Sequence, residues 1–403
     1  MPRVAVLGAG PAGTSAAIAL RRAGCEVVVV DPAASSGEGG AAGFSSDGGD
    51  AGIDATLAFV RRGNGESVPA VAGSPCAASD SSRAASLGAA GESVPPSISG
   101  ALARLGLSTA ALDHDHLRSL GTASAWGSAD LEYRDYLLDG LGPGWHLDRT
   151  RFDRMLRAAA VTAGAVLVHG RWSSASRTAT GWSLTCHGTR LTADVVVDAT
   201  GRRAAFATAQ GARRCFADRL IGVAATVPEL PARRHVVLEA AENGWWYASP
   251  QPGGWLTLAL LSDADLVRRE DWARPIGWLA ALRDTRHLDV PRNEPSLIVR
   301  DARSHLLTPS AGRGWLAAGD AAMALDPLSS AGVTLAIESG LAAAELIVTG
   351  QVDSAQHRQQ LRRRFDAYLR QRREVYRAEQ RWDGPFWTRR REGVTEARHL
   401  VVH

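Results

Sequence analysis

The first thirty residues switch from one hydrophobic pattern to another and back. Val4 to Leu7 is an unbroken apolar run, the signature of a strand buried on both faces. The stretch from Pro11 to Ala23 is rich in alanine and reads as a helix, with Gly24 standing where a C-cap is expected. A second apolar run, Val27 to Val30, ends in Asp31. The pattern predicts strand, glycine turn, helix, strand and a terminal acid.

Beyond Pro32 the pattern lapses. Residues 33–90 are mostly glycine, serine and alanine, with little to bury, and are expected to form an exposed, partly mobile insertion. Order resumes over 91–221. There "GESVPPSISGALARLGL" reads as a turn and a helix, "LDRTRFDRMLRAAAVTAGAVLVHG" as a helix and a strand, and "GWSLTCHGTRLTADVVVDATG" as strands closing on a glycine turn. Residues 222–300 are mainly strands, with a helix near Trp278 to Arg283. Residues 301–350 give a strand, a loop and a long small-residue helix. Residues 351–403 give arginine-rich helices whose charged positions read as solvated faces. The class is α/β, with nucleotide-binding pieces at 1–32, 91–221 and 301–350 interleaved with a mostly β unit at 222–300.

Composition narrows the function classes. A net charge of +3 is too small to suggest a nucleic-acid partner. No apolar run reaches the length of about eighteen residues that a membrane span needs, and no signal-peptide pattern is visible. The four cysteines lack disulfide or metal spacing, so a reducing cytoplasm is expected and no metal centre. All 45 basic residues are arginine, and the chain has no lysine.

Gly8, Gly10 and Gly13 form G-x-G-x-x-G between the first strand and the helix. The first glycine suits the tight turn, the second the approach of a pyrophosphate, and the third close packing of helix on strand. Asp31 stands where an acid accepts a hydrogen bond from a ribose hydroxyl. FAD and NAD share this fingerprint, and "GDAAMALDPLSSAGVTLAIESG" decides between them. Gly319 and Asp320 suit a contact to the ribityl chain. After Pro327 a helix opens around Ser330 to Gly332, its N-terminus aimed at the flavin pyrimidine edge.

These two ends resemble the FAD family of aromatic hydroxylases, geranylgeranyl reductases and tryptophan halogenases. The resemblance implies a Rossmann-type FAD-binding domain of the aromatic-hydroxylase fold, an interleaved mostly β substrate domain and C-terminal helices. "GESVP" occurs at Gly65–Pro69 and at Gly91–Pro95. Only the second copy continues as the family's flavin-contacting G-E-S does, which assigns Glu92 and Ser93 to FAD. Arg151 is a further candidate for flavin or a substrate carboxylate.

"GWWYASP" is a degraded form of the halogenase tryptophan signature, and known halogenases hold their oxidant on a lysine amine that this chain lacks. "SAWGS", "GPGWHLDRTRFDRML", "GDAAMALDPLSSAG" and "VYRAEQRWDGPFW" are similar to the non-halogenating maturation flavoproteins of quinone-cofactor enzymes. The resemblance implies a monooxygenase that transfers oxygen from O2, through a flavin C4a-hydroperoxide, to an electron-rich ring. Indole is the expected ring, and a tryptophan-containing peptide is among the substrates implied. NAD(P)H supplies electrons, either directly or through a separate flavin reductase; both routes stay open. A flavin reductase or dehydrogenase acting on C=C or C–N bonds is the alternative, with halogenase and inactive flavoprotein chaperone behind it. Trp245 and Tyr247 share one face of a predicted strand and are expected to wall the substrate, with Pro327 at the flavin edge. His146 is the candidate base for the proton lost on rearomatisation.

Overall fold

The computed structural model describes residues 1–32, 92–138, 140, 142–186, 188–228 and 233–392. The predicted insertion and the first GESVP copy lie outside them.

Arg3–Leu7, helix α1 (Pro11–Arg22) and Glu26–Asp31 form the expected strand–helix–strand unit, with Pro11 opening the helix. Arg3–Leu7 pairs in parallel with Glu26–Asp31 on one side and Val195–Asp198 on the other. Trp315–Ala317 extends this sheet beyond Val195–Asp198, and Val166–His169 extends it beyond Glu26–Asp31, both in parallel. Leu7 stands opposite Val30 and Asp198, and Asp198 opposite Ala317. The loops after these strands therefore leave one edge together, where open α/β sheets bind ligands. Helix α2 (Arg149–Thr162) and helix α4 (Gly332–Val348) lie with α1 against this sheet, sharing its core. A Cβ on Gly340 of α4 would sit 2.2 Å from the Ala12 carbonyl of α1, so only glycine permits this crossing.

The second layer is a seven-stranded sheet ordered Ile298–Asp301, Leu220–Pro228, Trp255–Asp263, Gly244–Gln251, His235–Ala241, Gly121–Ala125 and Glu132–Asp135. Five of its strands come from the predicted β-rich stretch, and two enter from earlier in the chain. Alternation divides its residues between two faces. Val223, Trp246, Leu258 and Leu260 pack under helix α3 (Pro275–Arg283), where Trp278 donates to the Val223 carbonyl at 3.0 Å. Gly222, Ala224, Tyr247, Thr257, Ala259 and Leu261 face the opposite way, into a cavity.

The C-terminal helices are more than solvated faces. Helix α5 (Ala355–Ala378) places Leu361 and Phe365 in the core beneath the nucleotide sheet. Its Tyr376 joins Phe386 and Trp387 of helix α6 (Pro385–Arg391) against the seven-stranded sheet. Two arginines go inside with them. Arg390, 5% exposed, forks onto Asp263, with Nη2 2.7 Å from Oδ1. Arg372 binds Asp218 at 2.6 Å. Burial of these guanidinium groups is tolerated because each meets a buried carboxylate. Periodicity showed the charge on these helices but not the partners waiting for it.

Candidate functional site

A cavity of about 1020 Å³ runs from the nucleotide sheet edge to the seven-stranded sheet, at the upper end of the range usual for small-molecule sites. Its first wall is the glycine loop. Gly8 has φ +108°, and a Cβ there would lie 2.2 Å from the Ala199 carbonyl oxygen. A Cβ on Gly13 would lie 1.9 Å from the Gly8 carbonyl oxygen. These two glycines are obligatory for the fold. Gly10 differs, since a Cβ there meets nothing within 4 Å, and the space beside it is the cavity. It is also the N-cap of α1 without any side-chain cap, so the helix N–H groups remain available to phosphate oxygens. Asp31 accepts the Ala9 N–H at 2.6 Å, which holds its carboxylate at the rim. This cradle fits the adenosine diphosphate half of FAD.

The second wall is the loop before α4. Gly319 has φ +62° and passes 2.6 Å from Ala12 Cβ, measured from where its own Cβ would stand. Asp320 points into the cavity, 3.5 Å from Arg202 Nε. Enclosure raises the Asp320 carboxyl pKa, and Arg202 opposes the rise. Pro327, Ser330 and Gly332 border the cavity, with Ser330 in the left-handed region (φ +47°) turning the chain into α4. Glu92 Oε1 lies 3.4 Å from the position of a Gly332 Cβ, which brings the GESVP strand against this helix start.

Glu92 is also ion-paired with Arg149, which reaches on to Asp153 at 3.3 Å; all three border the cavity. The pair of carboxylates raises the Arg149 pKa despite burial. Arg151 does not share this position. It binds Asp115 at 2.6 Å on the surface, half exposed and away from the cavity. The helix expected from the sequence borders the cavity, through Arg149 and not through Arg151. Two residues turn a helix by about 200°, so Arg149 and Arg151 face opposite sides. The side on which the apolar Phe152 and Leu156 lie would have located the buried flank.

Ser93 reaches the cavity, but His146 does not. The buried His146 ring lies with Nε2 3.1 Å from the Arg234 carbonyl and Nδ1 2.5 Å from Ser93 Oγ. A carbonyl only accepts, so Nε2 carries the proton and Nδ1 accepts from Ser93. Burial lowers the pKa to about 4, so the ring is neutral with both nitrogens engaged. The structure makes it the anchor of Ser93, leaving no lone pair for a substrate proton.

Tyr247 and Trp245 share a strand face as expected, yet only Tyr247 borders the cavity. Enclosure raises the Tyr247 phenol pKa, keeping it protonated. Trp245 is 0% exposed, covered by Tyr376 and Trp387, and donates its indole N–H to Tyr376 Oη at 3.0 Å. The C-terminal helices cover that end of the face, and strand alternation cannot see them. Asp326 and Tyr376 escape sequence reasoning as well, because their contact spans 50 residues: Tyr376 Oη donates to Asp326 Oδ2 at 2.8 Å. Among the described residues no cluster of His, Cys, Asp or Glu could hold a metal, and no helix is long and apolar enough to cross a membrane.

Residues 108–400 match the family model described as tryptophan halogenase. The chain belongs to that family. LodB of Marinomonas mediterranea, described as an FAD-dependent oxidoreductase, is 26% identical over 293 residues, 69% of this chain and 79% of LodB. The structure of QhpG, a peptidyl tryptophan dihydroxylase essential for tryptophylquinone cofactor biogenesis, superposes with a TM-score of 0.70. It is 25% identical, with 97% of this chain and 78% of QhpG covered. A tryptophan 2-halogenase of Chondromyces crocatus is 25% identical over 290 residues, 66% of this chain and 55% of that enzyme. This family member is a flavin-dependent oxidoreductase, with the α/β fold that the sequence indicated.

Proposed function

We propose that the protein is an FAD-dependent monooxygenase acting on an electron-rich aromatic ring, with the indole of a peptide tryptophan as substrate. The observation that carries this reading is the continuous cavity joining Gly10 and Asp31 to Tyr247. QhpG, a peptidyl tryptophan dihydroxylase, supports the choice of ring. The balance is one O2 and one NAD(P)H with a proton, giving a hydroxylated ring, water and NAD(P)+. Reduced FAD supplies the electrons that divide O2 between ring and water.

The chain's own residues supply the rest. Gly10 and the α1 N-terminus bind the pyrophosphate, and Asp31 the adenosine ribose. Asp320 would hold the ribityl chain, and the α4 N-terminus would favour negative charge on the pyrimidine ring. Gly222, Ala224 and Ala259 keep one wall thin enough for a flat ring, and the Tyr247 ring stands beside them, its hydroxyl held by Ser93 and Ser249.

Halogenation is the second reading, favoured by the Chondromyces crocatus relative. The absence of lysine weighs against it. To test the first reading, the enzyme is supplied with FAD, a flavin reductase, NAD(P)H and O2, and offered free tryptophan and a tryptophan-containing peptide. Gain of one oxygen on the peptide tryptophan is the expected result. Preference for free tryptophan ends the peptide claim, and oxidation of a non-aromatic substrate ends the indole claim.

A further inference from the structure

Three distant parts of the chain meet at one buried phenol. Tyr376 of α5 accepts the Trp245 indole N–H at 3.0 Å and donates to Asp326 Oδ2 at 2.8 Å. Asp326 Oδ1 in turn accepts the Leu328 N–H at 3.0 Å, and the Asp326 N–H is taken by Tyr368 Oη at 2.8 Å. Asp326 and Tyr376 are 1% and 0% exposed. Arg372 stands 3.9 Å from the same carboxylate. The polar atoms of this chain of bonds are thus engaged in series, and its last member sets the turn Pro327–Ser329, which leads through Ser330 into α4. Trp245 is held in turn by edge-on contact with Trp126, and Tyr376 by contact with Trp126, Phe386 and Trp387.

We infer that Tyr376 is a positioning residue for the flavin, fixing the 326–332 loop and the α4 N-terminus to the seven-stranded sheet through Trp245. The tryptophan signature then acts on the cofactor from behind the cavity wall, without touching the substrate. The inference rests on the reading of this cavity as the FAD site, which wild-type protein tests separately by binding FAD or failing to.

The chain of bonds predicts how its members differ from ordinary core residues. Tyr376→Phe keeps the ring and removes the oxygen that serves both neighbours, leaving the buried indole N–H without an acceptor and Asp326 Oδ2 without its hydroxyl donor. The loop loses its register, the α4 N-terminus drifts from the pyrimidine edge, and negative charge on reduced flavin is less well held. FAD should bind about tenfold more weakly, and the bound-flavin midpoint potential should become more negative. Trp245→Phe should shift both in the same direction by a smaller amount. Trp246→Phe, on the opposite face against Trp278, should lower thermal stability and leave both unchanged. If Tyr376→Phe lowers the melting temperature as Trp246→Phe does while FAD affinity and potential stay at wild-type values, the inference is overturned. Should Tyr376→Phe fail to fold, Trp245→Phe decides: an unchanged potential overturns the inference, and a negative shift supports it.

Discussion

Arg149 and Arg151 stand two residues apart on one helix and face opposite ways. The first is locked between Glu92 and Asp153 at the cavity wall, and the second is tied to Asp115 on the surface. Removing the first leaves two carboxylates facing one another beside the α4 start, at a cost of about 1–3 kcal/mol. Arg149→Gln should weaken FAD binding about tenfold in a fluorescence titration. Arg151→Ala should change it less than about twofold, as surface ion pairs do. Equal effects would remove Arg149 from the flavin site.

The fingerprint glycines should separate by phenotype. Gly13→Ala forces a methyl group into the Gly8 carbonyl and should cost about 3 kcal/mol or more, seen as insoluble or early-melting protein. Gly10→Val meets no protein atom at its Cβ, so the apoprotein should melt near the wild-type temperature yet emerge colourless from gel filtration. A Gly10→Val protein that keeps its FAD would refute the assignment of this loop.

Acid should destabilise the fold through two buried histidines. His146 and His305 both have pKa values lowered by burial to about 4 from 6.5. Between these values the unfolded chain takes up protons that the native state refuses, so stability falls as pH drops through that window. The contribution of the two rings is level above about pH 7. Each histidine contributes up to about 3 kcal/mol to the fall. Urea midpoints at pH 7.5, 6 and 5 measure it, and His305→Leu should make the decline shallower. A decline as steep in His305→Leu as in the wild type would show that this ring protonates in place.

Chloride or bromide supplied with reduced FAD and O2 should yield no halogenated product, since no lysine amine is present to hold an electrophilic halogen. Mass spectrometry of product with a chlorine or bromine isotope pattern is the contrary result.

How much of this site the sequence reveals depends on the distance over which each contact acts. The glycine loop and Asp31 are legible because turn, helix and acid lie within one local unit. Glu92 and Ser93 are legible from the helix that succeeds their motif, though their neighbours Arg149 and His146 come from elsewhere in the chain. Trp245 shares the strand face of Tyr247, as alternation predicts. Its covering arrives from Tyr376 and Trp387, more than a hundred residues later, and no local period carries that information. The buried arginines are hidden for the same reason: Arg390 looks like one more charge on a basic helix until Asp263 is found beside it.

Strand order also fixes a sequence of events in time. Arg3–Leu7 needs Val195–Asp198 at its side, and that strand needs Trp315–Ala317. The glycine loop is synthesised well before Val195–Asp198 and Trp315–Ala317, the strands that complete its sheet, and Tyr376 comes later still. Cofactor loading therefore waits on strands made long after the loop itself. Until then the nascent chain carries half-built apolar sheets without a ligand to consolidate them, the condition under which chains of this size depend on chaperones.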